Sequence, residues 1–194
     1  MKEEIYKCIE VLKAGGIILY PTDTVWGIGC DATNKEAVQK VFDLKKRTDS
    51  KSLIIIVAND RMLNYHVKDV PELAWDLIDI SEKPTTIIYT EGNHLAENML
   101  APDKSIAIRM VKEGFAHQLA FNYRKPIVST SANISGASTP LSFDEISNEI
   151  KNNVDFITNK QFDKGNKKPS ALIKLGLHGE IEITLLPKRL ANSK

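Results

Sequence analysis

Cysteine is scarce in this chain. Its two thiols, Cys8 and Cys30, form no Cys-x-x-Cys pair and no framework that could staple a small fold, so disulfide scaffolds are excluded and a reducing cytoplasm suits the usage. Aromatic residues make up only 7% of the chain, too few for the broad stacking platforms of a dedicated RNA-binding surface. Neither sign of charge dominates. With 26 Lys plus Arg against 25 Asp plus Glu, the formal net charge is +1, so anion binding has to come from a local patch. No apolar run reaches the ~18 residues of a membrane span. Met1 is followed by Lys2, Glu3 and Glu4 rather than an apolar signal segment, so the expectation is a cytoplasmic protein with no membrane association. Ten Gly and eight Pro exclude collagen-like and low-complexity classes.

Several catalytic signatures are missing as well. His66, His94, His117 and His178 show no His-Glu-x-x-His spacing and no cysteine partners, which leaves zinc chemistry unsupported and reads each as a surface or half-buried residue. There is no Gly-x-Ser-x-Gly elbow and no phosphate-binding Gly-x-x-x-x-Gly-Lys-Ser/Thr loop. Gly27-Ile28-Gly29-Cys30-Asp31-Ala32 fits a dinucleotide fingerprint formally, but its glycines fall within an alternating strand pattern.

What is present is an ordinary apolar fraction, 42% of 194 residues, which at ~150 residues per domain predicts one globular domain over 1–194. Ile5, Ile9 and Leu12 recur at helical spacing before the Gly15-Gly16 stop. Extended runs follow at Ile17 to Tyr20 and Val25 to Gly29. Asn34 then caps a helix that carries Ala37, Val38, Val41 and Phe42 on one face and ends near Arg47. Leu53 to Val57 reads as a central strand, Pro71 opens a helix, and strands are predicted at Thr85 to Tyr89 and Ser105 to Met110. A helix from about Phe115 to Asn122, a strand at Pro126 to Val128, a capping-box helix start at Ser142 with Glu145, and strands at Ala171 to Leu175 and Glu180 to Leu186 complete the reading. The interleaving predicts an α/β fold with helices against a mixed sheet. Asn159 to Lys168, with four lysines and no apolar periodicity, reads as a mobile loop outside the packed core.

Three segments place polar groups at strand ends, where ligands bind in open α/β sheets. Thr22 and Thr24 flank Asp23 after the first strand, as a binding loop or as a simple Ser/Thr turn. Lys45, Lys46, Arg47 and Lys51 cluster before the central strand, where cations also suit a helix C-terminus. Lys45 continues the apolar stripe of its helix, so its stem faces the core, and an inward cation needs an anionic partner such as phosphate. Ser129, Thr130, Ser131, Asn133 and Ser135 follow the Pro126 strand and end at Gly136, either a polar turn or a cradle for anionic oxygens. Arg109 adds a bidentate fork for carboxylate or phosphate. No activated nucleophile is evident, and the combination suits electrostatic catalysis on an anionic substrate, as in nucleotidyl or phosphoryl transfer.

The segments GGIILYPTDTVWGIGCDA, KKR, SIAIRM, PIVSTSANISG and KPSALIKL, in this order, resemble the YrdC-like family of threonylcarbamoyl-adenylate synthases, from about Ile5 to Leu186. The resemblance implies a twisted open mixed sheet with flanking helices around a concave basic cavity. It implies synthesis of threonylcarbamoyl-AMP and pyrophosphate from L-threonine, bicarbonate and ATP with Mg2+, a product passed to a tRNA threonylcarbamoyl-transferase complex for N6-threonylcarbamoyladenosine formation, and contact with tRNA. Residue by residue it implies Lys45 and Arg47 as the catalytic pair on the ATP phosphates, and Thr24, Arg109 and Ser129 at threonine, with Arg109 facing its carboxylate. On the ATP side it implies Lys51, Ser105, Ser131, Asn133, Thr139 and Ser170; the metal ligands stay open.

The chain departs from the family pattern. Thr48 and Ser52 replace prolines, Lys51 stands where Asn is common, Ile56 or Val57 replaces a histidine, Glu82-Lys83-Pro84-Thr85-Thr86 replaces Pro-Gly-Pro-Leu-Thr, and Ala171 ends the expected Pro-Ser-Thr. A YciO-like paralogue with the same fold, or a non-catalytic nucleotide- or RNA-binding module, are the alternative readings. The lysines of Asn159 to Lys168, with Gly165 as hinge, serve either as a lid over the substrates or as an ordinary surface loop.

Overall fold

The computed structural model describes residues 1–46 and 53–185, so Arg47, Thr48, Lys51, Ser52 and Leu186 lie outside the described residues. Helix α1 (Lys2–Lys13) buries Ile5 and Leu12 of the predicted stripe together with Cys8, and leaves Ile9 half-buried. It stops where Gly15 turns to a φ of 73°, a left-handed conformation that costs glycine nothing. Burial among apolar neighbours pushes the Cys8 thiol up to about 12, with the Glu4 charge adding to it, so it stays protonated and inert.

Strands β1 (Ile18–Pro21) and β2 (Trp26–Gly29) form an antiparallel hairpin in register from Ile18 opposite Gly29 to Pro21 opposite Trp26. Gly29 is required there, because a Cβ would lie 2.7 Å from the Tyr20 ring and 2.8 Å from the Val128 carbonyl oxygen. The glycines of the formal dinucleotide fingerprint are therefore strand residues. Helix α2 (Lys35–Leu44) starts where the Asn34 side chain accepts the Ala37 amide proton, and it ends at Leu44, short of the predicted Arg47. Lys45 caps it and Lys46, at φ 51°, turns the chain away.

Strand β3 (Ile54–Val57) is followed by α3 (Asp60–His66), a helix the sequence reading missed although Asn59 caps it by accepting from the Met62 amide. Then come α4 (Glu72–Ile80), β4 (Thr85–Tyr89), β5 (Ile106–Met110), α5 (Gly114–Tyr123), β6 (Ile127–Val128) and β7 (Thr130–Ser131). The predicted helix at Ser142 is corrected. There the Glu145 carboxylate accepts from the Leu141 amide and the Ser142 hydroxyl, both at 2.9 Å, closing a turn, and α6 (Asn148–Lys151) begins only after Ser147, whose hydroxyl caps the Ile150 amide. Neither bond to Glu145 is a capping-box bond, since the Ser142 hydroxyl does not accept from the Glu145 amide and the Glu145 carboxylate does not take the Ser142 amide. Strands β8 (Phe156–Ile157), β9 (Ala171–Leu175) and β10 (Ile181–Leu185) complete the order.

These strands make two sheets: four strands ordered β7-β2-β1-β8 and six ordered β10-β9-β4-β5-β3-β6, each with parallel and antiparallel pairs. From β6 to β7 the chain crosses between them over one residue, since Val128 closes β6 in the larger sheet and Thr130 opens β7 in the smaller. Ser129 is that crossing, tied to β3 by its amide on the Ile54 carbonyl at 2.7 Å. One buried apolar cluster runs from Ile5 on α1 through Trp26, Ile55 and Leu119 to Leu175 on β9 and binds the layers together.

Candidate active site at the seam of the two sheets

Where the sheets meet, a cavity of about 220 Å³ is lined by Thr22, Thr24, Arg109, Ser129, Ser131, Thr139 and Ser170, with Leu53 and Ile54 at the start of β3. A larger cavity of about 720 Å³ adjoins it and shares Thr22. The β1–β2 loop supplies the two threonines. Thr22 Oγ1 donates to the Val25 carbonyl at 2.7 Å, so across the 2.9 Å contact between the hydroxyls it is Thr24 that donates, and the Thr24 oxygen keeps its acceptor capacity toward the cavity. Both threonines are buried, which a mere surface turn would not require.

Arg109 is the buried cation of this wall, only 4% exposed, near the C-terminal end of β5. Its Nη2 lies 3.0 Å from Asp23 Oδ1, while its Nε is buried and makes no hydrogen bond among the described residues. A buried guanidinium with an unanswered donor is costly until an acceptor arrives, so the fork is set for an anion. The Tyr20 hydroxyl donates to the Val128 carbonyl, the residue before Ser129, at 3.3 Å. Burial pushes that phenol well above its ordinary value, against the opposing influences of Ser129 and the Arg109 charge, so Tyr20 remains neutral and keeps its proton on the Val128 carbonyl. Ser170 shares a 2.8 Å hydroxyl contact with Thr86 of β4. Thr86 was not among the predicted site residues; it is the fully buried one of the two threonines that open β4.

Lys45 is brought inward as its helical phase predicts and is 3% exposed. Its Nζ donates to the carbonyl oxygens of Ser131 and Asn133, each at 2.6 Å, which cross-links the end of α2 to the polar segment. Asn133 turns its amide nitrogen onto the Ile134 and Ala137 carbonyls of its own turn and leaves a buried Oδ1 without a hydrogen-bond partner among the described residues. Asn133 is not part of the cavity lining. Neither is Ser105, whose hydroxyl is engaged by Asp103 at 2.6 Å in the turn before β5. The seam thus gathers Thr24, Arg109, Ser129, Ser131, Thr139 and Ser170, with Lys45 and Asn133 behind Ser131.

None of residues 159–168 is buried in the core, as expected, yet the segment is tied to its surroundings. A 3-10 turn (Lys160–Phe162) stacks Phe162 on Phe115 with ring centroids 5.4 Å apart. The strap then runs across the β1–β2 loop, with the Asn166 amide on the Asp23 carbonyl at 3.1 Å and the Lys167 amide on the Thr24 carbonyl at 2.9 Å. Asp163 accepts from the Trp26 indole at 3.0 Å and pairs with Lys167. Gly165 lies so close that a Cβ would be 2.4 Å from the Thr24 carbonyl oxygen. His66 is fully buried rather than half-exposed, with Nδ1 3.3 Å from the Asn93 carbonyl, and burial holds it below the ordinary histidine value.

A family model for Sua5, YciO and YrdC proteins, described as telomere recombination, matches residues 10–184. The chain belongs to the Sua5/YciO/YrdC family. Among curated members of this family, the threonylcarbamoyl-AMP synthase of Pseudoalteromonas translucida is 31% identical over 180 residues, 91% of this chain and 95% of that protein. The synthase of Psychromonas ingrahamii is 31% identical over 156 residues, 78% and 81% of the two chains. In structure, the Sua5 family member of P. abyssi, crystallised with L-threonine, matches with a TM-score of 0.80 at 26% identity over 88% of this chain; this chain spans 50% of that one. YciO of E. coli matches with a TM-score of 0.82 over 96% of this chain, at 21% identity a likeness of fold alone.

Proposed function

We propose that this chain makes threonylcarbamoyl-AMP. In that reaction the amine of L-threonine bonds to the carbon of bicarbonate with loss of one water to give a carbamate, whose oxygen attacks the α-phosphorus of ATP as the bond to pyrophosphate breaks and pyrophosphate leaves. The observation that carries the reading is the buried Arg109 fork, with its Nε unanswered, in the wall of a hydroxyl-lined cavity of amino-acid size. Arg109 would take the threonine carboxylate, held in place by Asp23, and the Thr24 and Ser129 hydroxyls would complete the oxygens' partners. The P. abyssi protein crystallised with L-threonine supports the substrate.

The nucleotide would lie on the Lys45 and Asn133 side, where Arg47 and Lys51 follow in the chain. Positive charge there offsets the charge that develops on the phosphates, and no covalent enzyme intermediate is needed. No cluster of three or more His, Cys, Asp or Glu residues able to hold a metal occurs among the described residues, and Mg2+ would enter bound to the ATP phosphates. The product, a reactive mixed anhydride, would pass to a transferase that modifies tRNA. Among the described residues no helix is long and apolar enough to cross a membrane, and the free thiols of Cys8 and Cys30 accord with the cytoplasm.

The deciding experiment incubates the pure protein with magnesium–ATP, bicarbonate and L-threonine. Threonine-dependent pyrophosphate release is expected. Its absence overturns the synthase reading, and release indifferent to threonine favours the YciO-like alternative.

A further inference from the structure

At the far end of β3 from the seam lies a second recess. Leu53 and Ile54, at the start of that strand, line the cavity described above, whereas Asn59, two residues beyond its end, lines a cleft of about 820 Å³ between α3 and the end of α5. Its charged lining residues, Arg61 and Arg124, are both cationic, and neither forms an ion pair among the described residues. Two large aromatics complete it, Tyr65 and Phe121, exposed at 57% and 52%. Large apolar rings in water next to unpaired guanidiniums are unexpected in a chain of net charge +1.

The rings are braced. The His94 ring stacks on Tyr65 with centroids 4.2 Å apart and 12° between planes, His66 meets it edge-on at 5.0 Å, and His117 stacks on Phe121 at 5.9 Å. Ordering them on binding therefore costs little. Two backbone positions at the cleft are also strained. Arg124 closes α5 in the left-handed region at φ 61°, where glycine is favoured, and His94 sits at φ 51° with its Nδ1 3.0 Å from the Tyr65 carbonyl. An arginine kept where glycine would be easier points to a use for its side chain.

We propose that this cleft binds a mononucleotide: the base stacks on Tyr65 or Phe121, the phosphate is held by Arg61 and Arg124, and Asn59 or Asn64 meets the edge of the base. Arginine forks match phosphate oxygens, aromatic faces accept any base, and the volume falls within the ~300–1,000 Å³ of small-molecule sites. A recess walled by two short stretches of chain suits one nucleotide rather than an extended strand. This inference does not rest on the proposed activity, because the cleft shares no lining residue with the seam cavity.

The test follows amide chemical shifts of isotopically labelled full-length protein during titration with AMP. Saturable changes at 59–66 and 121–124 are expected, separate from any at Thr22 to Thr24 or Ser129. Tyr65→Ala is expected to weaken binding at the cleft about tenfold, the equivalent of one lost stacking contact. Arg124→Gly is the sharper variant: it relaxes the left-handed residue and should raise the melting temperature while weakening AMP, whereas a purely structural arginine would show only the first effect. The proposal is overturned if millimolar AMP leaves the cleft unmoved. It is equally overturned if inorganic phosphate reproduces every shift, if only an oligouridine binds there, or if the shifts follow protein concentration, the mark of a second copy.

Discussion

The two ends of β3 handle positive charge in opposite ways. At the seam, Arg109 and Lys45 are almost fully buried, one beside Asp23 and the other on the carbonyls of Ser131 and Asn133. At the outer cleft, Arg61 and Arg124 stand in water with no ion-pair partner among the described residues. Substitution therefore costs unequally: removing a buried cation strands the carboxylate or carbonyls it faces, whereas an exposed one can be removed with little effect on stability.

The largest effect is expected at Arg109. Arg109→Ala should lower threonine-dependent kcat/KM by about 2–4 kcal/mol, read from pyrophosphate release over a range of threonine concentrations. Near-normal activity would erase the contrast between the two ends. A thermal melt run in parallel reports the cost of leaving Asp23 without its partner.

Gly165→Ala tests the strap over the seam. Its Cβ would collide with the carbonyl oxygens of Thr24 and Thr22, so a loss of about 1–3 kcal/mol in stability is expected. Hydrogen exchange reads the same event locally: the Asn166 and Lys167 amides are protected without ligand in the parent protein and lose that protection in the variant. Exchange at free-loop rates in the parent would restore the unpacked loop.

A smaller effect belongs to Asp31, buried between the sheets. Burial pushes its carboxyl up, but hydrogen bonds from Lys125, Thr33 and Tyr123 outweigh burial and hold it below the ordinary carboxylate value. A depressed carboxyl contributes stability above the ordinary carboxylate value, and that contribution is lost as pH falls through the folded value. Tyr123→Phe removes the 2.7 Å bond, so stability at neutral pH should fall by about 1.5 kcal/mol and acid unfolding should move to higher pH. Urea titrations at several pH values check both.

Smallest of all is Lys46→Ala. Lys46 is exposed and pairs with Glu149 at 2.7 Å on the surface, so stability should change by less than about 1 kcal/mol and activity should stay at the parent level. A large loss would mean that charge near the seam acts at a distance rather than through buried contacts.

Legibility followed the range of the forces involved. The stripe of Ile5 and Leu12 and the cap at Asn34 depend on neighbours within a turn or two, and both stand as the sequence predicts. The polar set at the strand ends was legible as residue types, because Thr24, Arg109 and Ser129 follow apolar runs. Helix α3 was missed because its seven residues are too short for a clear period, and the Ser142–Glu145 pair misled because the same two residue types can bond each other and the Leu141 amide, closing a turn, instead of the backbone amides that a capping box satisfies.

By itself the sequence determined the α/β layering, the inward phase of Lys45 and the family, since each is written in local periodicity or in short motifs. Only the tertiary structure decided that Arg109 meets Asp23, that Ser129 is the crossing between two sheets, and that the lysine-rich strap lies on the β1–β2 loop. These depend on contacts between residues tens of positions apart, whose partners are chosen by packing and by the need to satisfy buried polar groups, and no local pattern in the chain encodes that choice.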